Sequence, residues 1–216
     1  MFLAFSGIKA LHKIIGSHGV TNLGELHLHL ALGFEFVIVE SASRFKDCEI
    51  MLKLHRVIDQ SFDLIVETDH YVPLSVYAYE GPMGANFYRI GNFATSLIEI
   101  TVDPETGGLR GFSVVSFDQI FEGQISARNT VVGLPAFDLS DFLESPIRDE
   151  LRPFSLGLRG NIVIVATDDF EKFDTTVSCG RLKYYFRSKI LVGMSIENLE
   201  KRHVEVISSH LSRIKL

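Results

Sequence analysis

Apolar and polar positions alternate most regularly in the middle of the chain. Residues 95–102 (TSLIEITV) put Ile98 and Ile100 on one side and Glu99 and Thr101 on the other. That period of two marks a half-buried strand. Residues 103–108 (DPETGG) then read as a turn. Pro104 presets φ, the Asp103 side chain can bond the backbone ahead of it, and a glycine can take positive φ. Residues 109–117 (LRGFSVVSF) return as the partner strand, so the segment predicts a β-hairpin.

The same logic predicts strands at 34–40, 62–68, 74–79, 86–90 and 161–167 (NIVIVAT), the last from its β-branched content. Residues 50–58 (IMLKLHRVI) fit either period. A second hairpin is expected from 181–186 and 190–196 around Arg187-Ser-Lys189. Helical spacing appears twice. Ile8, Leu11, Ile14 and Ile15 suggest an early helix ending near Gly16 and Gly19. Leu199, His203, Val206, Ile207, His210, Leu211 and Ile214 suggest a C-terminal helix, with Asn198 as a candidate N-cap. The fold class expected is α+β, mainly antiparallel sheet with a C-terminal helix. One domain over 1–216 is the main reading. Two similar halves, 1–133 and 154–216, joined by a turn-rich connection at 134–153, are the variant of it. The shared features are a glycine (Gly91, Gly180) before each strand–turn–strand unit.

Composition sharpens this. The chain has 216 residues, 46% of them hydrophobic, with 17 Phe and no Trp. Phe lacks a polar handle, so most of these rings belong in a core. The net charge of −6 is confined to residues 1–108, where 13 acids face 7 bases; residues 109–216 balance at 14 each. An acidic chain is a poor ligand for nucleic acid and a good one for a basic protein surface. Cys48 and Cys179 stand outside any CxxC motif, which suits a reducing compartment and disfavours thiolate metal sites. The start, MFLAFS, is broken by Lys9, His12 and Lys13, so no signal peptide is expected. No uninterrupted apolar run is long enough for a membrane span. The expected location is the cytoplasm, with no membrane and no nucleic acid as partner.

Candidate chemistry is sparse. His27 and His29 share a face if their segment is a strand, and with His55 or His70 they could ligate a metal; Glu25 is the near carboxylate. Asp138 and Asp141 lack a companion base and suit local turn bonding. Arg181, Lys183, Arg187 and Lys189 form a basic hairpin with Asp168, Asp169, Glu171 and Asp174 as expected ion partners. No P-loop, GxGxxG, GxSxG or HExxH occurs. Neither catalytic residues nor a cofactor are called for. The acidic run Asp59, Asp63, Glu67 and Asp69, with Glu80 beyond, is a candidate patch for a basic partner, against the plainer reading of a solvated face.

Three segments carry a resemblance: 98–115 (IEITVDPETGGLRGFSVV), 133–140 (GLPAFDLS), and 180–186 (GRLKYYF) leading through 191–199 to a short charged helix. Together they resemble immunity proteins of bacterial polymorphic-toxin systems of the contact-dependent growth inhibition type. The resemblance spans about residues 90–212 and leaves the first 70 unmatched; its motifs are strand and turn patterns. It implies a cytoplasmic inhibitor that binds one cognate toxin domain, often a basic nuclease, and blocks its active or substrate-binding site. It carries over no catalytic residue. The toxin contacts it would use are assigned to Asp59, Asp63, Glu67, Asp69 and Glu80. A β-rich adaptor without a toxin, and a metal-dependent β-barrel enzyme using His27 and His29, remain the alternatives.

Overall fold

Each sheet must cover one apolar face, and the chain meets this need by packing two sheets on a common core. The computed structural model describes residues 26–30, 34–38, 51–60, 64–78, 84–126, 129–167 and 170–214. The chain groups into two units, 1–48 and 49–216. In the first, β1 (Leu26–Leu30) pairs antiparallel with β2 (Phe34–Ile38). The expected helix around Ile8–Ile15 lies outside the described residues.

In the second unit, β3 (Leu54–Ile58) is followed by β4 (Ile65–Glu67), β5 (Leu74–Tyr77), β6 (Asn86–Gly91), β7 (Leu97–Val102) and β8 (Leu109–Ser116). Next come β9 (Asn129–Val132), β10 (Leu134–Phe137) and β11 (Ile147–Leu151). The last strands are β12 (Phe154–Arg159), β13 (Ile162–Thr167), β14 (Thr175–Cys179), β15 (Leu182–Arg187) and β16 (Ile190–Ile196). Helix α1 (Lys201–Ile214) closes the described chain. The α+β class is as expected, with mainly antiparallel pairing. No helix among the described residues is long and apolar enough to cross a membrane.

Two six-stranded sheets carry the fold, ordered β11-β6-β7-β8-β5-β4 and β12-β13-β16-β15-β14-β9. Five consecutive strands in each, β4–β8 and β12–β16, follow one antiparallel order, 1-2-5-4-3. The sixth strand is parallel and comes from the connection. β11 lies along β6 in the first sheet, and β9 lies along β14 in the second. These two strands are exchanged: β9 follows the first set in sequence but joins the second sheet, while β11 precedes the second set and joins the first. The β3–β10 ribbon touches both sheets, through bridges Lys53 to Ile190 and Gly108 to Ala136.

The predicted hairpin is β7–β8. Ile98, Ile100 and Val102 are buried and Glu99 and Thr101 half-buried, so the alternation sets the face. At its turn, Asp103 Oδ1 accepts the amide N–H groups of Glu105 and Thr106, and Gly107 takes φ +74°. The second hairpin, β15–β16, turns on Ser188 and Lys189, both at positive φ (50° and 73°). That conformation matches the strand twist of a two-residue turn, here without the usual Asn-Gly.

The inner faces meet in one cluster that includes Ile98, Ile100, Phe112, Tyr184, Phe186 and Met194. The second sheet is also covered outside. Ile164, Tyr185 and Val192 pack there with Phe170 and Phe173, and Phe121 lies against them. Phe170 meets Phe121 and Tyr185 edge-on, with centroids 5.1 and 5.0 Å apart. Gly193 makes the room: a Cβ there would sit 2.4 Å from the Phe170 ring.

A charged link joins the sheets. Glu150 on β11 accepts a 2.5 Å hydrogen bond from the Tyr88 hydroxyl of β6. Arg152 Nε lies 3.0 Å from the other Glu150 oxygen, an ion contact outside hydrogen-bond alignment. Its Nη2 donates to the Leu191 carbonyl of β16. Both charged side chains are largely buried (14% and 10% exposed for Arg152 and Glu150), so each needs the other. Glu150→Ala is therefore expected to destabilise the protein by about 2–3 kcal/mol. Glu150→Gln, which still accepts from Tyr88, is expected to lose less. Urea unfolding of the two variants measures this; equal losses would show that the charge alone matters and the Tyr88 hydrogen bond contributes nothing.

Candidate functional site

Two members of the acidic run, Glu67 and Asp69, fall at a sheet edge that is open among the described residues. Among the described residues β4 pairs only with β5, through Val66 to Val76 and Glu67 to Ser75. Its short sequence, IVE, turns Val66 into the core and leaves Ile65 and Glu67 exposed. The chain then turns at Asp69, whose Oδ1 accepts the amides of Tyr71 and Val72, both at 2.6 Å. These two bonds, led by Val72, hold the Asp69 carboxyl below its ordinary pKa, so it stays ionised. Tyr71 projects from the turn 89% exposed, and Ile65 is 45% exposed. Ile65, Glu67, Asp69 and Tyr71 thus line one stretch of edge, two carboxylates interleaved with two large apolar groups.

Helix α1 stands beside this edge. His210 Nε2 lies 2.7 Å from the Asp69 carbonyl, and because a carbonyl only accepts, that nitrogen carries the proton. Arg181 donates to the carbonyls of Leu64 and Asn198, tying the residue before β4 to the turn before the helix. Asn198 is in that turn with φ +57°, and the helix begins at Lys201, so the expected capping position falls one turn segment too early.

Between edge and helix lies a cleft of about 590 Å³. Ile65, Val66, Val72 and Val206 supply apolar wall; Glu67, Asp69 and Ser75 supply oxygen; Arg202 and His203 come from the helix. His203 is buried, 5% exposed, and its Nδ1 has no hydrogen-bond partner among the described residues. Burial, then the neighbouring Arg202 charge, lowers its pKa below the ordinary 6.5, against the opposing pull of Glu200. Arg202 Nε is engaged by Glu200 at 2.9 Å. Glu67 makes no ion pair among the described residues.

Of the five residues expected at a binding patch, Glu67 and Asp69 are brought together here. Asp59 is exposed but follows β3, which pairs with β10 rather than with the β4 sheet. Asp63 and Glu80 lie outside the described residues, as do Asp168 and Asp169 of the expected ion layer. Lys183 pairs with Glu197 at 2.5 Å. Asp138 Oδ1 accepts the Ser140 amide at 2.9 Å, the local turn bond expected of it. The side chains of His27 and His29 are not described. Among the described residues, no group of three or more His, Cys, Asp or Glu could hold a metal. Tyr71, Ile65 and His203 were not singled out from sequence; His203 was legible only as one member of an apolar stripe. No protein-family model matches the chain, and no curated protein matches it.

The depressed His203 pKa fixes a pH dependence. The unfolded chain takes up the proton first, so stability contributed by the neutral ring is present above about pH 6.5 and is lost as pH falls from there toward the folded pKa. Lowering the pH from 7.5 to about 5 is expected to reduce Tm, and His203→Gln is expected to reduce it by less. Scanning calorimetry of both forms decides the matter; parallel pH profiles would remove His203 from the acid response.

Proposed function

We propose that the chain acts by binding a basic protein, and that it is an immunity protein: a cytoplasmic inhibitor of a cognate toxin domain, a nuclease being the expected target. The observation that carries this reading is the β4 edge. Exposed Tyr71 offers the rigid aromatic contact area that interface hot spots favour, and Glu67, without an ion pair among the described residues, offers charge that steers a basic partner. A nuclease must hold phosphates and so presents cations to such an edge. The resemblance of residues 90–212 to toxin immunity proteins supports the same reading, and the carboxylates face the sort of partner it implies. Catalysis plays no part in it.

The shared strand order of β4–β8 and β12–β16 supports a second, structural proposal, that the two sets are copies of one ancestral unit. The glycines that precede β7 and β15, Gly91 and Gly180, then occupy equivalent places. Sequence profiles built separately on homologues of 64–116 and 154–196 should each detect the other; failure of both to do so would favour convergence on a common meander.

The functional reading is tested by expressing the protein with the toxin domain encoded beside its gene. Co-purification and protection of cells are expected. Glu67→Lys is expected to weaken the complex by more than about tenfold, chiefly through slower association at low salt. Asp69→Lys is the poorer probe, because Asp69 also holds its turn. If no neighbouring toxin is bound, the adaptor reading takes its place.

A further inference from the structure

We propose that the cleft between β4 and α1 is a socket for a single arginine side chain of the basic partner. The proposal rests on the binding reading of this edge and deepens it. An arginine brings an apolar stem and a head with five N–H donors and no acceptor. The cleft offers the counterpart of each part. Val66, Val72 and Val206 line it as apolar wall, while Glu67, Asp69 and Ser75 present oxygens. His203 also lines the cleft, and its Nδ1 is buried and without a hydrogen-bond partner among the described residues. A buried polar atom left without a partner costs free energy that an arriving donor recovers. The neutral ring favoured here can accept at Nδ1 as a protonated one could not. Arg202 also lines the cleft, but its charge is already matched by Glu200 within the same turn. It therefore does not neutralise Glu67, which has no ion partner among the described residues, or Asp69, which its backbone bonds keep ionised. A lysine would reach the carboxylates as a point charge but would satisfy fewer of these converging acceptors.

The test is a titration of the full chain with N-acetyl-L-argininamide, read by NMR at the His203 ring nitrogens and at the Glu67 and Ser75 amides. Saturable millimolar binding is expected, with the Nδ1 resonance moving. Glu67→Gln is expected to weaken it by at least about fivefold. Glu171→Gln, an exposed carboxylate of the second sheet's outer turn, is expected to leave it unchanged. N-acetyl-norleucinamide, which has the stem without the cation, is expected not to bind. The socket is overturned if argininamide gives no saturable shift, if Glu67→Gln leaves the shift intact, or if inorganic phosphate moves the His203 ring instead. Failure of the two readings is distinguishable. A Glu67→Lys chain that loses its toxin while the parent ignores argininamide removes the socket alone. Argininamide binding by a chain that binds no toxin upholds the socket and removes the inhibitor reading.

Discussion

Two apolar sheet faces meet in one core, and the remaining structure answers the question of how they are held in one arrangement. Burial of apolar surface supplies most of the driving force, but it is non-directional and would tolerate sliding. The Glu150 carboxylate supplies direction. It receives the Tyr88 hydroxyl within the first sheet and faces Arg152, which in turn reaches the Leu191 carbonyl in the second. Burying such a pair is not a cheap way to gain stability. Its contacts tie β11 to both sheets at one register. The β3–β10 ribbon makes the same demand with backbone bonds, from Leu54 to the Lys189 carbonyl and from Phe137 to the Gly107 carbonyl.

The first sheet ends differently on its two sides. At β11, Arg89 and Asp149 form a paired fork across the strands, with 2.7 and 2.8 Å bonds. At β4, the edge is three residues long and its outward groups are Glu67, which has no ion pair among the described residues, an isoleucine and a nearby tyrosine. A short strand with outward charge is a usual defence against unwanted sheet extension. On the binding reading proposed above, the same features would make β4 selective, because a partner would have to satisfy Glu67 before approaching the edge. The binding surface proposed above therefore also protects the fold.

What could be read from sequence follows from how local each signal is. β7–β8 was legible because alternation, turn residues and return strand occur within about twenty residues, and the α1 stripe because its period repeats over the whole helix. β11 was not. Its burial alternates, but Ile147 and Leu151 point outward, 44% and 83% exposed, while Glu150 points inward to Tyr88. An inverted pattern of this kind reads as a loop until its partner strand is known. β9 is exposed at all four positions and exists because β14 offers it a ladder. The site divides similarly. Glu67 and Asp69 stood out as an acidic run. Their convergence with His203 depends on packing across more than a hundred residues, and no local pattern carries that.

The exchange of β9 and β11 has a consequence for how the chain can be made. As it leaves the ribosome, β4–β8 are complete by residue 116, yet the β6 side of that sheet stays open until residue 151 has emerged. β9 emerges earlier but has nothing to pair with until β14 has followed. Neither sheet is finished by its own stretch of chain, so the two cannot mature in sequence as separate beads. Contacts of this range make folding slow and leave strand edges open while it proceeds. While residues 133–151 emerge, an open β6 edge and a β9 without its β14 partner coexist on one nascent chain.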